Sequence, residues 1–139
     1  RQMCIRDSAM ALPTPELRPE REWQGQRFVH NTAATGAFLP HRLPGFLARD
    51  TTIAANTRGA ASVTVLRPDG GPTAPTRHDA DILFTFVMAG GLVLEGAGVD
   101  AVRLGPGDAF VVPPGMVTRC SEPAPDLELL EVALPGAFR

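Results

Sequence analysis

The stretch from Gly105 to Cys120 constrains the fold more tightly than any other part of this chain, because it stops one element and starts another every few residues. Gly105 and Gly107 bracket Pro106 as turn residues, and the Asp108 carboxylate can bond its own local backbone. Ala109 to Val112 is aromatic and β-branched, short enough for a buried strand, and ended by Pro113, which has no N–H for a ladder. Pro114-Gly115 then turns the chain into Met116 to Cys120. A turn, a strand, a turn and a second strand leave no place for a helix here.

The remaining sequence is punctuated in the same way. Fourteen Gly and fourteen Pro among 139 residues, separated by short apolar runs, favour many strands and turns. The pattern predicts an edge strand around Arg27 to His30, a loop over Gly36 to Gly45 and a short strand at Phe46 to Ala48. Asp50 then caps a brief helical turn through Thr51 to Ala55. Ala61 to Arg67 alternates and has strong β propensity. Ile82 to Ala89 is a strand entering a two-residue hairpin at Gly90-Gly91 with Leu92 to Glu95. Val99 to Leu104 follows, and Leu127 to Leu134 sets Leu127, Leu129, Glu131 and Ala133 on one face. The expected class is all-β, a sandwich or barrel with at most one short helix.

Two glycine frames make this more specific. Gly107, Pro113, Gly115 and Thr118 follow at fixed spacing, and Gly70, Thr76, His78, Leu83 and Gly90 form a second set upstream. In that order and at that separation, the frames resemble the paired signatures of the cupin superfamily, in its small, single-domain, RmlC-like form. The resemblance implies a double-stranded β-helix, a jelly roll, over 61–139, with an N-terminal arm and edge strands over 9–60. It also implies that Thr76, His78, Leu83 and Thr118 stand where the family carries metal ligands. Only His78 is a usual ligand type, so the metal site is degenerate.

Strand periodicity extends the inward set, since residues two apart share a face. The expected pocket comprises Thr76, His78, Leu83, Thr85, Met116, Thr118 and Cys120. Each has a plain alternative: His78 as a neutral histidine held by a hydrogen bond, Cys120 as a small buried hydrophobe, and the threonines as fillers. A reactive Cys120 thiolate would need a cationic or histidine partner, for which His78 is the candidate. Asp79 and Asp81 alternate to the opposite face and read as solvated turn acids. His30 and His41 fall in or near loops, where histidines are usually solvated.

Composition narrows the function classes. A net charge of −2 predicts no general attraction to nucleic acid, and no apolar run approaches the roughly 20 residues that span a bilayer. Two cysteines, Cys4 and Cys120, give no disulfide framework and suit a reducing, cytoplasmic compartment. Arg1 to Ser8 resembles translated adapter sequence and is expected to be non-native, and Ala9 to Glu22 reads as a Pro-rich extended arm. Trp23 and Phe28 are apolar anchors through which the resemblance implies a homodimer. The leading functional expectation is a cupin that binds a small organic ligand, with no cofactor beyond at most a weakly held divalent metal. The alternative is a metal-dependent enzyme, of dioxygenase or isomerase type, that supplements His78 with Cys120, His30 or His41. The His–Tyr pair of sugar-nucleotide epimerases is excluded by the absence of Tyr.

Overall fold

The computed structural model describes residues 21–139, so the expected non-native start and most of the Pro-rich arm lie outside the described residues. Eleven strands are formed there and no helix: β1 (Glu22–Trp23), β2 (Gln26–Arg27), β3 (Leu39–Pro40), β4 (Phe46–Asp50), β5 (Ser62–Pro68), β6 (Ile82–Ala89), β7 (Leu92–Gly96), β8 (Val99–Leu104), β9 (Ala109–Val111), β10 (Thr118–Ser121) and β11 (Glu128–Leu134). Six of them make an antiparallel sheet in the order β3-β4-β5-β11-β6-β9, and three make a second in the order β10-β7-β8. No described helix is long and apolar enough to cross a membrane.

Alternation along the central strands decides what lies between the sheets. On β6 the buried residues are Leu83, Thr85 and Val87, and on β11 they are Leu129, Glu131 and Ala133. Register aligns Leu66, Leu129 and Val87 side by side across β5, β11 and β6. Phe46, Leu92 and Leu127 close on that row to form the core, with Leu94, Leu104 and Cys120 packed against it. Leu66 and Leu129 are wholly buried, so truncating either to Ala costs roughly 2–5 kcal/mol.

Several local expectations are corrected. Gly90-Gly91 does not join a hairpin: β6 pairs with β11 and β9, whereas β7 pairs with β10 and β8. The two glycines carry the chain from one sheet to the other, and Gly90, at φ +75°, passes so close to Leu127 that a Cβ would lie 2.6 Å from its backbone. The segment after Asp50 makes successive turns, held by bonds such as Asn56 N–H to Thr52 O (3.2 Å) and Gly59 N–H to Ala54 O (2.8 Å). Thr52 and Arg58 adopt positive φ at its ends, which stops a helix from propagating. The N-terminal strands sit at 22–23 and 26–27, before the expected 27–30. Trp23 and Phe28 are 60% and 49% exposed, so they anchor nothing inside the described chain. Trp23 lies instead under the Arg21 guanidinium, 4.3 Å from the ring centre.

Candidate functional site

The two glycine frames meet along the β6–β9 pairing and again at an isolated backbone bridge. Thr76 and Thr118, far apart in sequence, exchange hydrogen bonds, Thr76 N–H to Thr118 O at 2.7 Å and Thr118 N–H to Thr76 O at 2.9 Å. Gly115 N–H donates to His78 O at 2.9 Å and ties the turn after Pro113 to the same segment. These contacts bring β6, β10 and the 76–80 segment around one cavity. Its polar lining is Thr76, Arg77, His78, Thr85, Thr118, Cys120 and the Arg42–Glu131 pair, and its apolar lining is Leu43, Leu66, Leu83, Phe110, Val112 and Leu129. The walls enclose about 380 Å³ counting the open mouth, but the centre of a water molecule can move through only about 20 Å³ of it. That is room for about one or two waters.

His78 is 4% exposed and both ring nitrogens are engaged. Ala80 N–H donates to Nδ1 at 3.1 Å, so Nε2 carries the hydrogen and donates to Val112 O at 2.6 Å. The Phe138 ring meets the imidazole edge-on at 6.1 Å. The histidine therefore fastens the 78–80 turn to the segment after β9, with no lone pair left over.

Arg77 is exposed, and the charge inside the cavity centres instead on Glu131 of β11. Register sets Thr64, Glu131, Thr85 and Phe110 in one row across β5, β11, β6 and β9, a polar step in an otherwise apolar face. The Glu131 side chain is 4% exposed and accepts from Arg42 at 2.8 Å, while Arg42 also stacks over Phe138 at 4.8 Å. His41 Nε2 lies 3.3 Å from the other carboxylate oxygen, close enough for attraction but off the hydrogen-bonding direction. Among the described residues, three buried side-chain nitrogens or oxygens lack a hydrogen-bond partner: His41 Nε2, Arg42 Nε and Thr64 Oγ1. All three belong to neighbours of Glu131. Cys120 shares this environment. Burial, reinforced by the Glu131 charge and opposed by Arg42, pushes its thiol up to about 11, so it is a neutral thiol and a poor nucleophile.

No family model and no curated protein matches the sequence. Solved structures do match in fold. The polyketide cyclase RemF from Streptomyces resistomycificus superposes with a TM-score of 0.60 at 18% identity, over 82% of this chain and 84% of that one. An RmlC-like cupin from Shewanella frigidimarina gives 0.58 at 17% identity, over 81% and 95%. KdgF from Halomonas sp. gives 0.54 at 23% identity, over 72% and 94%. The chain has the cupin fold.

In a cupin the barrel interior is where a metal is expected, and the donor set here does not fit one. Thr76 and Thr118 offer neutral hydroxyls, Leu83 offers nothing, and both His78 nitrogens are committed to the backbone. Among the described residues no three His, Cys, Asp or Glu side chains gather as a metal would need. His30 does not reach the cavity, being exposed beside Phe28 at a ring distance of 5.9 Å. His41 is far from solvated: its side chain is 12% exposed, because the 41–45 loop folds over the inner face of β11.

Of the residues expected to share the pocket, Thr76, His78, Leu83, Thr85, Thr118 and Cys120 line the cavity and Met116 does not. Met116 precedes β10 in an irregular segment, so strand alternation counted backwards from Thr118 does not reach it. Its methyl group instead covers Gly96. Asp79 is turned outward, where it accepts from the Arg139 N–H at 2.7 Å. Glu131 and Arg42 are the cavity residues that sequence reasoning misses. The signal was present for Glu131, which shares a face with Leu129 and Ala133 in the alternation of β11.

Proposed function

We propose that this cupin holds a small organic molecule in its barrel through direct polar and apolar contacts, without a metal centre. The observation that carries this reading is the Glu131–Arg42 pair, set into an apolar cavity wall where strand alternation would place another hydrophobe. A carboxylate taken out of water is costly to keep, and a binding site gives that cost a purpose. His78 supports the same reading, since its hydrogen bonds serve the backbone and leave the cavity's chemistry to Glu131 and Arg42. The cavity as it stands holds only a water or two, so an organic guest displaces them and the walls give way around it. The exposed Trp23 and Phe28 further support a homodimer, to be checked by sedimentation.

The test is a ligand-observed NMR screen of uncharged and charged fragments against the native protein and Thr118→Phe, in which a ring fills the cavity. Fragments should bind the native protein and lose most of that binding in the variant. Equal binding to both places the site outside the barrel and overturns the reading. Elemental analysis and native mass spectrometry of the same samples, purified without chelators, should find little metal; an equimolar metal lost in His78→Ala would also overturn it.

A further inference from the structure

The charge arithmetic of this cavity carries a statement about what it selects. Glu131 is a fixed negative charge and Arg42 a fixed positive one, in contact at 2.8 Å and nearly closed from water on the carboxylate side. Together they are neutral, and Arg77, the other charged residue of the lining, is exposed and keeps its charge in solvent, so a charged guest finds no buried counter-ion and loses its hydration uncompensated. The pair is also incompletely bonded. Glu131 accepts one hydrogen bond from Arg42, out of the four or so that a carboxylate can take, and the buried Arg42 Nε–H has no acceptor. One open acceptor therefore sits beside one open donor. Thr85 and Phe110, neighbours on β6 and β9, continue the wall, so a flat apolar body can lie against a ring while its polar edge faces the pair.

Resting on the reading of the barrel as a small-molecule site, we infer that it selects uncharged, planar molecules that present a hydrogen-bond donor next to an acceptor, of the carboxamide, lactam or enol-carbonyl class. The donor goes to Glu131 and the acceptor receives the Arg42 Nε–H. Buried polar groups discriminate strongly in this way, because a guest lacking either function leaves one of them unpaired.

Benzamide, benzoate and benzamidine test this directly, since they share a ring and a planar three-atom head but carry charges of about 0, −1 and +1. Titrations followed by protein amide shifts should show benzamide bound at least tenfold more tightly than either ion. Glu131→Gln strands the guanidinium and should turn the preference towards benzoate. Arg42→Met strands the carboxylate and should turn it towards benzamidine. Circular dichroism checks that each variant is folded, and if one fails to fold the other still decides. Benzoate preferred by the native protein would mean a net cationic cluster, and benzamidine preferred would mean an uncompensated carboxylate; either overturns the inference. So does the absence of binding by all three, or a preference that neither variant changes. The broader reading is judged separately, because fragments of other classes that bind the native protein and not Thr118→Phe leave it standing.

Discussion

Removing either partner of the Glu131–Arg42 pair should have unequal consequences. At 2.8 Å their attraction is about 6 kcal/mol at an effective dielectric of about 20, against about 1.5 kcal/mol in bulk water. Desolvation offsets most of this, so the net worth of the pair is small, but the cost of stranding one member is not. Arg42→Met leaves a carboxylate that is 4% exposed and can meet only the water or two that the cavity holds, whereas Glu131→Leu leaves a guanidinium that is 23% exposed and can swing to bulk water. Stranding a buried charge costs roughly 3–5 kcal/mol. His41 remains 3.3 Å from Glu131, which sets the expectation for Arg42→Met at the lower end, about 3 kcal/mol. Glu131→Leu should cost about 1 kcal/mol or less, and the double variant should return to near the native value. Urea unfolding is the assay, read by far-UV circular dichroism because Trp23, at 60% exposure, is a poor reporter of the core. With a slope of about 2 kcal/mol/M, the midpoints of the two single variants should lie about 1 M apart. A Glu131→Leu variant as damaged as Arg42→Met, or a double variant no better than the worse single, would refute the argument from unequal access to water.

Gly90→Ala should cost several kcal/mol or prevent folding, because its Cβ would strike the Leu127 backbone, while Gly98→Ala, also at positive φ but with nothing within 4 Å, should cost about 1 kcal/mol; equal melting temperatures would show that the crossover has slack. The raised Cys120 thiol makes the folded state hold its proton above the pH at which the unfolded chain releases one. Its contribution is therefore complete below about 9 and lost as pH rises to about 11, at up to about 1.4 kcal/mol per pH unit. Cys120→Ala should remove that part of the alkaline slope, and an unchanged slope counts against a buried thiol. Long-range proton–nitrogen NMR should find His78 protonated at Nε2 and bare at Nδ1; the opposite tautomer would break both of its backbone bonds.

Much of this architecture is legible in the sequence because its punctuation is local. Pro113 and Gly115 end and redirect strands through properties they have in any context, and the two glycine frames specify the order of turns. Partnership between strands is not local, which is why Ile82–Ala89 and Leu92–Glu95 read as a hairpin although they lie in different sheets. Met116 fails for a related reason, since two-residue periodicity holds only while the backbone stays extended, and the strand begins at Thr118. Glu131 is the most instructive residue. Its position in the alternation of β11 places it inward beside Leu129 and Ala133, but a glutamate alone on a strand gives no hint of a counter-ion. That counter-ion, Arg42, comes from a loop 89 residues earlier, and nothing in its neighbourhood announces the contact.

Strand β11 lies between β5 and β6, yet it is the last strand of the order β3-β4-β5-β11-β6-β9 to be made. On the ribosome, β4 and β5 can pair early and β6 can pair with β9, but the two halves have no direct hydrogen-bonded join until Glu128–Leu134 emerges. Until then β5 and β6 each present an open edge to whatever is nearby, including a neighbouring nascent chain. The strand that closes the sheet also delivers Glu131, so completion of the fold and arrival of the cavity's negative charge are the same event in synthesis.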